Sequence, residues 1–100
     1  MNYLVALTPE ARDQLNQIEE FIAHEASPAI AARYVEAIFG RCESLAQFPL
    51  RGTPRHDLRP GIRTIPFRRR VTIAYAVEEA RVVVVGIFYA GRDIAPLGPD

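Results

Sequence analysis

Apolar residues recur along this chain in two rhythms, and the change of rhythm divides it in half. Residues 3 to 7 (YLVAL) read as a short strand. Ala11, Leu15, Ile18, Phe21 and Ile22 then fall at helical spacing, in a stripe roughly 120° wide. Thr8 and Pro9 mark the start of this helix as N-cap hydroxyl and first-turn proline, and Glu10 adds favourable charge to the first turn. The helix is expected to end near Ala26. Ser27 and Pro28 repeat the start signal, and a second helix is predicted to about Gln47, with Ala31, Val35, Ile38, Phe39, Cys42, Leu45 and Ala46 on its apolar side. So short a connection makes the pair an antiparallel hairpin.

After Phe48-Pro49-Leu50 the rhythm shortens. Gly52, Pro54, Pro60 and Gly61 punctuate a loop. Residues 62 to 67 are predicted as a strand, which Pro66 confines to an edge or to its unpaired side. Residues 70 to 77 (RVTIAYAV) alternate, with Val71, Ile73, Tyr75 and Val77 on one face. Residues 82 to 89 (VVVVGIFY) are apolar on both faces, the pattern of a central strand covered on two sides. Glu78-Glu79-Ala80 between them makes a tight hairpin. The predicted class is α+β, in the order β-α-α-β-β-β, with the helical hairpin on a small twisted antiparallel sheet. One hairpin covers one sheet face and leaves nothing for the other. The second face is therefore expected to take a partner chain.

One hundred residues, 49% apolar and 24% charged, are expected to form a single globular domain, 1–100. No apolar run approaches the ~20 residues of a membrane helix, so no membrane partner is expected. The single cysteine and the lack of a positive leader before Leu7 make a reducing cytoplasm the expected location. Cys42 sits mid-stripe and reads as core.

Charge changes the picture more. Residues 51 to 70 hold seven arginines against one acid, Asp57, in a chain of zero formal net charge. Residues 1–50 carry three arginines and seven acids, net −4; residues 51–100 carry nine and five, net +4. All twelve basic residues are Arg, as a GC-rich coding bias would produce, but such a bias does not cluster them. Guanidinium forks at this density suit phosphate, carboxylate or an acidic protein surface.

Metal chemistry has little basis in two histidines (His24, His56) and one core cysteine, and no metal or cofactor is expected. There is no GxSxG, and residues 86–91 lack the lysine and serine of a P-loop. The remaining candidate is the arginine segment with the end of the last strand, Phe88 to Asp93. Arg68, Arg69 and Arg70 are placed at the turn between two strands. Arg59 and Arg63 approach the opposite end, which Tyr89 and Arg92 are expected to reach. Arginines and an aromatic beside a sheet can hold an RNA phosphate and stack a base. Cleavage would need a proton acceptor as well; Tyr89 and His56 offer themselves without an evident activator.

The strand and helix LTPEARDQLNQIEEFIA, the segment SLAQFPLRG, the run RHDLRPGIRTIPFRRRVTIAYAV and the closing VVVVGIFYAGRD together resemble the RelE/ParE toxin superfamily of bacterial toxin–antitoxin modules, over nearly the whole chain. The resemblance implies the fold already read. It also implies one of two activities: ribosome-dependent mRNA cleavage (RelE-type) or inhibition of DNA gyrase by binding (ParE-type). The absence of lysine, the long hairpin and the GRD ending look more ParE-like. Target contacts would fall on Arg59, Arg63, Arg68, Arg69, Arg70, Tyr89 and Arg92, and a nuclease would use Arg63, Arg69 and Tyr89. A cognate, ParD-like antitoxin, ribbon-helix-helix in its N-terminal part, would lay a helix and a strand on Ile22, Tyr34 and Ile38 of the hairpin and Val71, Ile73, Tyr75, Val83 and Val85 of the sheet. The implied assembly holds at least two of each chain and reaches operator DNA only through the antitoxin.

Overall fold

The computed structural model describes residues 3–89. β1 (Leu4–Leu7) leads into α1 (Pro9–Glu25) and α2 (Pro28–Glu43). A 3-10 turn (Ser44–Ala46) and four strands follow: β2 (Thr53–Pro54), β3 (Ile62–Phe67), β4 (Val71–Glu78) and β5 (Arg81–Tyr89). Both helix starts are capped as their residues require. Thr8 Oγ1 accepts from the Ala11 N–H at 3.1 Å, and Ser27 Oγ accepts from the Ile30 N–H at 3.1 Å. The second helix stops at Glu43, short of Gln47, because the chain tightens there into the 3-10 turn.

The sheet order is β1-β5-β4-β3-β2. β2 to β5 are antiparallel, but β1 lies parallel to β5, so the sheet is mixed rather than wholly antiparallel. The chain between these two strands runs through the helical hairpin and then β2 to β4, the long connection that a parallel pair requires. β2 pairs only with Arg63 and Thr64, so β3 is an edge strand at Pro66, where the missing N–H costs nothing.

The helices cover one sheet face. Leu15, Ile18, Ile22, Ile38, Cys42 and Leu45 pack on Ile65, Ile73, Tyr75, Val82, Val84 and Ile87 in one buried cluster. A bulge between Ala74 and Tyr75 in the β4–β5 register leaves Val85 unpaired. Val84 and Ile87, three residues apart, therefore both enter the helix-side core.

The other sheet face is not bare. The 55–61 turn folds Leu58 down onto Ile62 and Ala74, and these three form a second, smaller core against Ala76, Val85 and Phe88. The Phe88 ring closes over Gly86, where a Cβ would stand 2.6 Å from ring carbons. Val83, Val85 and Phe88 stay half-buried. The expectation of an uncovered face is corrected by a turn that a count of elements alone does not include. Large exposed apolar groups lie elsewhere: Leu4 at 72%, Phe48 at 64%, Leu50 at 63%, and Phe21, Ile30 and Phe39 on the hairpin. Phe21 and Phe39 thus stay half-exposed, although the helical spacing sets both on the helices' apolar sides.

Cys42 is fully buried. Burial, reinforced by the charge of Glu43, pushes its thiol up to about 12 from 9.0. The folded state holds this proton more tightly than the unfolded chain does. The associated stability is complete below pH 9 and is lost as pH rises towards 12. Burial also raises Tyr75 and Tyr34, which add to the same alkaline loss. The urea midpoint is expected to be lower at pH 10.5 than at pH 8. At pH 8, iodoacetamide should leave the native thiol unmodified and alkylate it fully in urea.

Candidate functional site

The arginine segment separates into groups with different work. Arg55 and Asp57 form a bidentate pair, Nε to Oδ1 at 3.0 Å and Nη2 to Oδ2 at 2.9 Å. This pair takes the segment's single acid and holds the Asp57 carboxyl below its usual range. Arg63 donates through Nη1 to the Leu50 carbonyl at 3.1 Å and the Gly52 carbonyl at 2.8 Å. Beside it the Tyr75 hydroxyl donates to the Pro49 carbonyl at 2.8 Å and accepts from the Gly52 N–H at 2.9 Å. Together Arg63 and Tyr75 pin the 49–52 reversal to the sheet. Arg59 is half-buried in the Leu58 turn.

The other end of the sheet is different. Phe67 pairs with Val71 across the Arg68–Arg69–Arg70 turn, and Val71 pairs with Tyr89. Tyr89 therefore lies beside Arg68 to Arg70 and not, as expected from the sequence, beside Arg59 and Arg63. Antiparallel pairing dictates this, because β5 ends where β4 begins. Four residues of β4 separate Tyr75, opposite Arg63, from Val71, opposite Tyr89, or roughly 13 Å at strand rise. Arg92 lies outside the described residues.

Around Tyr89 the helices and the sheet build an aromatic row. Phe21 and Tyr89 ring centroids are 5.6 Å apart, Tyr89 and Tyr34 6.4 Å, and Tyr34 and Phe67 5.5 Å edge-on. The Arg68 guanidinium caps the row, 4.8 Å from the Phe67 centroid and 5.5 Å from that of Tyr34. Arg68 holds φ 53, left-handed backbone that a residue with a side chain adopts at a cost. The Tyr34 hydroxyl is buried and has no hydrogen-bond partner among the described residues. Burial raises its pKa, the neighbouring Tyr89 adds to this, and Arg68 and Arg70 oppose it. Next to the row, Gln14, Gln17, Phe21, Arg70, Ile87 and Tyr89 line a cavity of ≈ 280 Å³. Gln14 Oε1 accepts from the Ile87 N–H at 2.7 Å, beyond the point where β1 stops pairing with β5.

This corner offers rings packed tilted or edge-to-face and exposed arginines at positions 68 to 70, a surface for a partner with acidic or aromatic groups. The sequence reading missed Phe21 and Phe67 as members and assigned Tyr34 elsewhere. A signal for the corner was nonetheless present. Counting outward from the Glu79–Ala80 turn sets Tyr89 opposite residue 70 before any bulge is considered.

Five of the eight residues expected to meet a partner chain are enclosed by their own fold: Ile22, Ile38, Val71, Ile73 and Tyr75. They belong to the apolar stripe and the sheet face that bury each other, which makes them unavailable to an outside helix. Tyr34, Val83 and Val85 remain partly open.

The two roles of arginine predict opposite outcomes on substitution. Arg63→Gln should lower stability by about 2 kcal/mol, the order of the charge-assisted bonds it removes. Arg69→Gln, on an exposed turn, should leave the urea midpoint within about 0.5 kcal/mol of wild type.

A family model for the ParE toxin of the type II toxin–antitoxin system parDE matches residues 5–94. Among solved structures, the chromosomal ParDE toxin–antitoxin system from P. aeruginosa superposes with a TM-score of 0.78 at 21% identity, covering 88% of this chain and 96% of that one. The toxin–antitoxin complex RelBE2 from Mycobacterium tuberculosis superposes at 0.60 with 27% identity, covering 89% and 99%. No curated protein matches the chain.

Proposed function

Since the chain belongs to the ParE toxin family of type II toxin–antitoxin systems, we propose that it acts in the cytoplasm by binding and inhibiting DNA gyrase, and that a cognate antitoxin neutralises it. The observation carrying this reading is the separation of Arg63 from Tyr89. Cleavage of a phosphodiester needs cationic groups and a proton acceptor gathered on one phosphate. Of the nuclease candidates, Arg63 is bound to two backbone carbonyls at one end of the sheet, while Tyr89 and Arg69 lie at the other. The Tyr89 corner supports recognition: rings for contact area and guanidiniums for orientation, the residue types that dominate binding hot spots.

The structural relatives are toxin–antitoxin complexes. By analogy, a ParD-like antitoxin covers the partly open Tyr34, Val83 and Val85 together with the half-exposed Phe21, Ile30 and Phe39, in an assembly with at least two of each chain. Operator DNA is reached through the antitoxin.

Induction of the chain without an antitoxin tests the target. Filamentation and an SOS response are expected. Immediate arrest of translation with codon-positioned mRNA cuts, and no SOS response, would replace gyrase with the ribosome.

A further inference from the structure

A second cationic feature lies away from the Tyr89 corner, between the C-terminal half of α2 and the open edge of β3. It is a groove of ≈ 460 Å³. Ala37, Gly40, Pro66 and Phe67 form its apolar lining, and Arg41, Arg51 and Arg68 surround it with Ser44. The three guanidiniums come from three separate parts of the chain: the helix end, the 49–52 reversal and the β3–β4 turn. None of them has a carboxylate within ion-pair distance among the described residues. Arg41 Nε is buried and has no hydrogen-bond acceptor among the described residues. The dipole at the end of α2 favours a cation at position 41 but supplies no acceptor for that N–H. Ser44 Oγ donates to the Arg41 carbonyl at 2.6 Å, and Arg51 Nη1 reaches Ser44 Oγ only at 3.4 Å.

A concave site lined by three arginines that have no ion-paired acid among the described residues, with one orphaned buried donor, calls for an anion with several acceptor oxygens. Two carboxylate oxygens occupy one fork, or two at most. A tetrahedral phosphate presents oxygens in several directions and suits three. We propose that the groove of Arg41, Arg51 and Arg68 is a phosphate-binding site, and that its open form takes the phosphodiester backbone of a nucleic acid. The site goes beyond gyrase inhibition: it gives the chain a nucleic-acid contact of its own, on a surface separate from the Tyr89 row except for Phe67 and Arg68, which border both. Two phosphate sources remain, a polynucleotide backbone and a free phosphate ion, and they are distinguished by experiment.

The test uses the full chain without gyrase, so its outcome is independent of the target assignment. Inorganic phosphate and a mixed-sequence DNA duplex are titrated separately at low salt. The wild-type chain should gain thermal stability with phosphate and should retain the duplex. Arg41→Gln/Arg51→Gln should weaken duplex binding at least tenfold and reduce the slope of log K against log salt by about 2, near 0.9 per lost phosphate contact. Arg51→Gln alone changes an exposed side chain with one long hydrogen bond. It should give an intermediate loss at an unchanged melting temperature, which separates lost binding from lost folding. Arg12→Gln, exposed on α1, should have no effect. A response to phosphate without duplex retention would keep the phosphate site and assign it a small ligand. The proposal is overturned if neither probe binds, if the Arg41/Arg51 variants bind as wild type does, or if polyglutamate competes as strongly as the duplex.

Discussion

Gly52→Ala is expected to destabilise the chain by about 4 kcal/mol. A Cβ at this position would stand 2.5 Å from the Tyr75 hydroxyl oxygen and 2.9 Å from the Thr64 carbonyl oxygen. The carbonyl belongs to a paired backbone segment and has little room to move. The hydroxyl can move only by giving up the Gly52 N–H and the Pro49 carbonyl, both of which it bonds. Overpacking costs about 1–3 kcal/mol and abandoned buried partners cost about as much again. A domain of this size has about 5–15 kcal/mol in total, so the melting temperature should fall by roughly 15–30 °C. Gly40→Ala provides the opposite control. It sits in α2 with nothing within 4 Å of the new methyl, and it should stabilise the helix by up to about 1 kcal/mol. Thermal melts of the two variants should therefore shift in opposite directions.

The second large effect concerns activity. Tyr89→Ala removes the middle of the aromatic row, between Phe21 and Tyr34, from a side chain that is already half-exposed. The fold should survive. Binding to the target should weaken by about 2 kcal/mol, close to thirtyfold. Tyr89→Phe separates recognition from catalysis, because it keeps the ring and deletes the hydroxyl. A ring that recognises a protein surface tolerates the change, and inhibition should stay within about threefold of wild type. A hydroxyl that moves a proton would be lost outright.

Local features were legible in the residues, and longer-range ones were not. Thr8-Pro9 and Ser27-Pro28 announce their helices because capping is decided within four residues. The strands read at 70–77 and 82–89 follow from the alternation of the first, the unbroken apolar run of the second and the turn between them. Register depends on more distant facts. The bulge opposite Ala74 cannot be seen in VVVVGIFY, yet it decides which valines enter the core. The work of Arg63 depends on where the 49–52 reversal returns, and Leu58 covers the second sheet face only because a turn bends back over it. Arginine density marks the segment of residues 51 to 70. Geometry then divided it into a structural end, around Arg63, and an open end, around Arg68 to Arg70.

That division carries the central proposal, that this chain acts by recognition at the Tyr89 corner. Purified gyrase, relaxed plasmid and the chain form the most direct test. Inhibition of supercoiling is predicted for the wild type and for Tyr89→Phe, with about a thirtyfold weaker effect for Tyr89→Ala. Full supercoiling at saturating wild-type chain, together with mRNA cleavage on ribosomes that Tyr89→Phe abolishes, would contradict it.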